Sequence, residues 1–173
     1  MIRLINGRGQ LGFALRKHVD SFKTEKSACI YHTWNIDDKS LVTQKAEYKK
    51  FVDFVHEHRL KEKIFFISTT SIKDNWYNTY KQLAEAHLLA NTTDGVIIRL
   101  PTLIGKGVFE GLKTGELDPT GYFNLMSIDE ATERIVQNIT ELLCGGKRRV
   151  VRIEGEKVSA RNVLHLIKFG QRP

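Results

Sequence analysis

The first twelve residues constrain this chain more than any others. An apolar run, Ile2 to Ile5, leads into Gly7-Arg8-Gly9-Gln10-Leu11-Gly12, which has the spacing G-x-G-x-x-G. Leu11, Ala14, Leu15 and His18 follow at helical intervals. A strand, a glycine turn and a helix in that order form a cradle for a pyrophosphate. Gly7 allows the tight turn, Gly9 lets backbone N–H groups approach a ligand, and Gly12 lets the helix pack against the strand. The helix N-terminus adds unsatisfied donors and the positive end of its dipole. Gly7, Arg8, Gly9, Gln10, Leu11 and Gly12 are therefore candidates to bind a dinucleotide, NAD or NADP. The alternative is a tight turn with no ligand. The acidic residue that usually holds the ribose hydroxyls stands about 20 residues further on. Asp37 and Asp38 lie later than that and match poorly. Arg8 faces either the phosphate of NADP or solvent.

The rest of the chain alternates strand and helix. Ala28 to Trp34 reads as a strand, and Leu41 to His58 as a long helix with Phe51, Phe54 and Val55 on its apolar side. Ile64-Phe65-Phe66-Ile67 and Val96-Ile97-Ile98 are continuous apolar runs, the mark of strands buried on both faces. A helix is expected from about Trp76 to Leu89. Residues 105 to 122 hold five glycines and read as loop. Ser127-Ile128-Asp129-Glu130 has the form of a capping box and opens a helix stopped by Gly145-Gly146. Val150 to Ile153 is a last strand, and Ser159 begins a last helix. This order predicts an α/β fold with a mostly parallel sheet. With 173 residues and no linker-like tract, one domain spanning 1–173 is expected.

Charge and composition narrow the partners. The net charge of +7 favours anionic ones, nucleotides and nucleotide sugars among them. No nucleic-acid motif accompanies the charge. Lys147-Arg148-Arg149, the densest basic run, reads as a solvated turn. No apolar stretch is long enough to span a bilayer. The strand-like start argues against a secretory signal. Cys29 and Cys144 form no framework, which suggests a reducing, cytoplasmic setting. His56-Glu57-His58 holds ligand-type residues that point apart on a helix, so no metal site is expected there.

The chemistry lies after the third strand. That strand ends in Ser68-Thr69-Thr70-Ser71, and a short loop leads to Tyr77 and Lys81. Four residues apart on a helix, Tyr77 and Lys81 share a face. A nearby ammonium stabilises a phenolate and lowers the tyrosine pKa toward the working range. With a hydroxyl at the strand tip to hold the substrate oxygen, these residues make an acid/base device for a carbonyl or alcohol. A nicotinamide would exchange hydride with the same carbon. The competing reading of Tyr77 and Lys81 is an ordinary amphipathic helix face.

Glycine turn, Ser/Thr strand tip, Tyr-x-x-x-Lys followed by Ala84-Glu85, and Arg99-Leu100-Pro101-Thr102-Leu103-Ile104-Gly105 occur in one order. In that order they resemble the extended short-chain dehydrogenase/reductases, the NAD(P)-dependent epimerases, reductases and dehydratases of nucleotide sugars. Gly9-Gln10-Leu11-Gly12 is similar to the turn of the dTDP-4-dehydrorhamnose reductases among them. The resemblance implies a Rossmann-like, doubly wound, mostly parallel sheet. It implies Tyr77 as general acid/base, Thr70 as the hydroxyl on the substrate, and Lys81 on the nicotinamide ribose, with Thr33 and Ser68 beside the cofactor. It implies epimerisation or reduction of a nucleotide sugar in surface-polysaccharide synthesis, and a homodimer. Ser71-Ile72 replaces the acidic residues that the dehydratases carry after the threonine.

The chain is shorter than that family's members. Ile30-Tyr31-His32-Thr33-Trp34 looks like the family's fourth strand, which carries a histidine over the cofactor. A reduced strand count is therefore expected, with the strands beside the adenosine pocket missing and the substrate lobe cut to about 105–126. Such losses leave a second reading open: a non-catalytic member that binds a dinucleotide or a nucleotide sugar as a sensor or partner protein.

Overall fold

Ile64 to Ile67 set the centre of the molecule, because four consecutive apolar residues are covered on both sides only inside a sheet flanked by two layers. The description covers residues 1–5, 7, 9–19, 22, 27–104, 111–112, 114 and 120–169 of a computed structural model, the last four by backbone alone. The elements run β1 (Ile2–Ile5), α1 (Gln10–Val19), β2 (Ala28–Tyr31), α2 (Leu41–His58), β3 (Lys63–Thr69) and α3 (Trp76–Asn91). They continue with β4 (Val96–Leu100), β5 (Thr102–Leu103), β6 (Tyr122–Met126), α4 (Ile128–Leu143), β7 (Val150–Arg152), β8 (Glu156–Ser159) and α5 (Ala160–Phe169).

Five strands form a parallel sheet in the order β1-β2-β3-β4-β7. Helices cover both faces, so the fold is Rossmann-like with few strands. A second sheet joins β5 to β6 in parallel and β6 to β8 antiparallel. The sequence reading had no strands at β5, β6 or β8, which are short and carry no clean alternation. Most of the stretch expected as a reduced substrate lobe lies outside the described residues. β2 stops at Tyr31 rather than Trp34. There the backbone turns toward α2, where the Gln44 amide donates to the carbonyls of Asn35 and Asp38.

Side-chain parity sorts the helices between the faces. Ile2, Ala28, Ile30, Phe65, Ile67 and Ile98 pack with Leu11 and Leu15 of α1 and with Ile135 and Ile139 of α4. Cys29, Tyr31, Ile64, Phe66 and Ile97 pack with Phe51 and Val55 of α2 and with Ala84 and Leu88 of α3. The strands advance across the sheet in one direction. The connection β1–α1–β2 therefore has the opposite hand to β2–α2–β3 and β3–α3–β4. The connection from β4 to β7, with α4 on the α1 face, shares the hand of the first.

In the first of these connections two glycines are in contact. A Cβ on Gly12 would lie 2.5 Å from the Gly7 carbonyl carbon and Cα. A Cβ on Gly7 would lie 2.6 Å from Leu4 Cδ2. Backbone touches backbone, which draws the start of α1 hard against the end of β1. Arg16 of α1 also donates to the Gly7 carbonyl at 3.3 Å. Gly9, by contrast, has nothing within 4 Å of its Cβ position. Gly12→Ala is expected to cost about 1–3 kcal/mol by overpacking, whereas Gly9→Ala stays within about 0.5 kcal/mol. Urea unfolding of the two variants checks this, and equal losses would contradict the close approach.

Candidate functional site

The crevice follows from the topology. At adjacent carboxyl ends, β1 sends its chain to one face and β2 to the other, and ligands of open α/β sheets bind where such connections diverge. One wall is the start of α1. Ser40, Asn75, Ser127 and Ser159 each place a side-chain oxygen on the first turn of α2, α3, α4 and α5. Gly9 precedes α1 and has no side chain to offer. The first hydrogen bond of α1 runs from Phe13 N to Gly9 O at 2.9 Å. The N–H groups of Gln10, Leu11 and Gly12 are the donors an anion would meet there. The Leu11 side chain is buried in the core, so that residue offers its backbone alone. Arg8 lies outside the described residues.

Lys81 occupies the centre of the other wall. It is 4% exposed, and its Nζ donates to the Ile67 carbonyl at 2.8 Å. The ammonium also lies 4.5 Å from the Phe66 ring centroid and 4.6 Å from that of Trp34. Trp34 is held over it by a hydrogen bond from Nε1 to Gln44 Oε1 at 2.8 Å. Burial drives the Lys81 pKa down to about 7, against an opposing pull from Glu85 and Glu47. His32, at the end of β2, is pushed down to about 4 by burial and by Lys81, so it is neutral near pH 7. Its Nδ1 is buried without a partner, as is the hydroxyl of Ser68. Two unsatisfied buried polar atoms at neighbouring strand ends are a costly arrangement in a closed core. They fit a site completed by a polar ligand.

Tyr77 is half-buried one helical turn before Lys81. The neighbouring Asn78 anchors this end of α3, donating to Ser71 Oγ at 3.1 Å and to the Lys73 carbonyl at 2.7 Å. Thr70 donates its backbone N–H to Leu100 O at 2.8 Å, which fixes its backbone at the tip of β3. Thr69 Oγ1 instead accepts from Ser71 N at 3.0 Å. The expected lowering of the Tyr77 pKa by Lys81 does not occur. Burial raises it to about 12, and the Lys81 ammonium is turned onto the Ile67 carbonyl.

Other residues have structural roles. Glu85 holds Arg99 through paired hydrogen bonds from Nε at 3.1 Å, which ties α3 to β4. That ion pair explains why both stand in one ordered pattern. Arg149 is not in a solvated turn: it donates to the carbonyls of Leu89, Thr92 and Gly95 at the end of α3. His58 pairs with Glu62, which also binds Arg3. His32, Gln44 and Asn78 had no assigned site role from spacing, since each gains its role from a loop or strand tip distant in sequence.

The protein shares its fold with nucleotide-sugar enzymes of known structure. A hypothetical dTDP-4-dehydrorhamnose reductase from Sulfolobus tokodaii superposes with a TM-score of 0.72 at 18% identity, over 99% of this chain and 83% of the other. A dTDP-4-dehydrorhamnose reductase from Bacillus anthracis, in complex with NADP, gives 0.71 at 11% identity, over 99% and 81%. The Bordetella bronchiseptica enzyme WbmG, in complex with NAD and UDP, gives 0.71 at 13% identity, over 96% and 76%. No family model and no curated protein matches the sequence.

Lys81 makes stability depend on pH. Its pKa of about 7 lies below its value of 10.5 in an open chain. Between those values the unfolded chain binds a proton that the folded protein releases, so raising the pH favours folding. Above pH 9 the raised pKa values of Cys29, Tyr31 and Tyr77 act the other way. From pH 7 to 9, resistance to urea is expected to rise by up to about 1.4 kcal/mol per pH unit. Lys81→Met should flatten that rise, and an unchanged slope would contradict the buried ammonium.

Proposed function

We propose that the protein binds NAD or NADP across the carboxyl ends of β1, β2 and β3 and reduces the carbonyl of a nucleotide sugar. The observation that carries this reading is a set of polar groups at the carboxyl end of the sheet: the α1 N-terminus behind an open Gly9, and the buried His32 Nδ1 and Ser68 Oγ without partners. The N–H groups of Gln10, Leu11 and Gly12 would take the pyrophosphate. Thr33, Ser68 and Lys81 would hold the nicotinamide ribose. When bound, a nicotinamide supplies the hydride.

The residues of the chain do the rest. Thr70 donates its hydroxyl to the carbonyl oxygen and orients the sugar. Tyr77 gives its phenolic proton to that oxygen as negative charge develops on it. Raised to about 12 by burial, Tyr77 is protonated at neutral pH. Reduction is preferred to epimerisation here because reductases stand among the fold neighbours. Lys81, held on Ile67 O, keeps cationic charge beside the site without making Tyr77 a base. The nucleotide sugar as substrate rests on the fold neighbours, and a cytoplasmic place in surface-polysaccharide synthesis rests on the sequence alone.

A second reading has one observation in its favour. Lys81 spends its buried hydrogen bond on a backbone carbonyl, as a purely structural lysine would. A protein that binds the dinucleotide without turnover would look the same in this respect. Two measurements separate the readings. NADH and NADPH fluorescence is expected to change on titration with wild type and to respond about tenfold more weakly with Gly9→Ala, which crowds the pyrophosphate. Oxidation of the reduced cofactor by a panel of nucleotide sugars should fall by about 10²–10⁴ in Tyr77→Phe, with cofactor binding retained. Equal rates in the two proteins would exclude the assigned role of Tyr77. Binding without any turnover would favour the second reading.

A further inference from the structure

α2 and α3 cover the same face of the sheet, and two histidines meet toward their C-terminal ends. The rings of His56 and His87 are stacked, with centroids 5.4 Å apart and planes 26° from parallel. His56 is exposed and His87 half-buried. Tyr48 of α2 also meets the His87 ring, edge-on at 6.3 Å.

The surroundings of His87 suit an uncharged ring. Its Nδ1 lies 3.3 Å from Asn91 Nδ2. That amide nitrogen is a donor, which also donates to the His87 carbonyl at 2.8 Å. Nδ1 therefore accepts, and the ring proton stands on Nε2, which is buried without a hydrogen-bond partner. A second proton would have to sit on Nδ1, against the Asn91 donor. The charges that act on the ring oppose it as well: His56, when protonated, from α2, and Arg59 from the C-cap of that helix. On α3 the residues three and four positions away are Leu83, Ala84, Ala90 and Asn91, none of them charged. Beside His56, the Asp53 carboxylate is bound by Lys49 at 2.7 Å, and that of Glu57 lies 3.7 Å from His58. Burial first, then His56 and Arg59, hold the His87 pKa below its ordinary 6.5.

We propose that the His56–His87 stack is a pH-sensitive latch between α2 and α3, closed while both rings are uncharged and opened in mildly acid solution by proton uptake that sets two cations face to face. Histidine is the side chain whose charge changes in this range. A ring released into water binds its proton near pH 6.5, and the stacked His87 ring does so only at lower pH. Between those values proton uptake favours the open form, so the latch is intact above pH 6.5 and weakens as the pH falls below it. His56 stands twelve residues beyond Gln44 along α2, a distance of about 18 Å at the helical rise. The latch is therefore remote from the contact between Gln44 and Trp34, and it does not rest on the dinucleotide reading.

Imidazole titration by NMR on protein labelled with ¹³C-histidine, and amide hydrogen exchange corrected for its intrinsic pH dependence, test the latch. In wild type, His87 should titrate below pH 6.5. His56→Gln, a change at an exposed position, should raise that midpoint by about half a pH unit, the effect of removing one unit charge at about 5 Å in water. Amides within residues 52–59 and 84–91 should exchange about tenfold faster at pH 5.5 than at pH 7.5. His87→Phe, which keeps a flat ring that takes no proton, should abolish that acceleration. His32 titrates lower, at about 4, and is present in both proteins. A His87 midpoint unmoved by His56→Gln, or equal acceleration in wild type and His87→Phe, overturns the latch. If His87→Phe fails to fold, the His87 midpoint in His56→Gln decides.

Discussion

Backbone contact between Gly7 and Gly12 is the constraint on which the remaining architecture rests. It presses the start of α1 against the end of β1, on the face opposite α2 and α3. The divergence of the two connections opens the crevice. The same contact fixes where the uncapped N–H groups of α1 end. A side chain at either glycine would move the helix outward, and the cradle would lose its shape before any ligand arrived. Local sterics at two residues thus set how closely α1 approaches β1.

The opposite wall works by burial. Lys81 sits between two aromatic faces and a carbonyl, and the cost of desolvating its charge lowers its proton affinity. The same ammonium helps keep His32 neutral. The loop that carries Trp34 is tied to α2 through Gln44, and the start of α3 is tied to Ser71 through Asn78. Tyr77 and Lys81 stand on α3 and Ser68 on β3, and the loops beside them are braced by polar side chains. Such bracing is what a site needs to hold a reacting group in place.

Much of this was legible in the sequence because it is local. Strand, glycine turn and helix are encoded within twelve residues, and the buried strands announce themselves as unbroken apolar runs. Asn75 and Ser127 cap the helices where their residue types stand. The missing strands were legible too: Ile30 to Trp34 suits the cofactor side of the sheet, and β2 does lie directly beside β1. What was not legible depends on direction in space. Tyr77 and Lys81 do share a helical face, yet spacing does not say that Nζ turns to Ile67 O. Nor does it say how deeply Tyr77 is buried, and burial reverses the sign of the expected tyrosine shift. Arg149 read as a solvated charge because its acceptors are carbonyls more than fifty residues away. β6 and β8 find each other across a long gap and have no period of their own to betray them.

Among the described residues β1 pairs with β2 alone, which has a consequence unrelated to any ligand. An unpaired outer side of Ile2–Ile5 presents backbone donors and acceptors to which another chain could add itself, the usual route to unwanted association. Three of those four residues are apolar. The fourth, Arg3, is anchored by Glu62, which His58 also contacts. A fixed charge midway along so short a strand discourages a second apolar segment from docking there. The small ion cluster at the base of the sheet thus guards solubility at the margin that the shortened fold exposed.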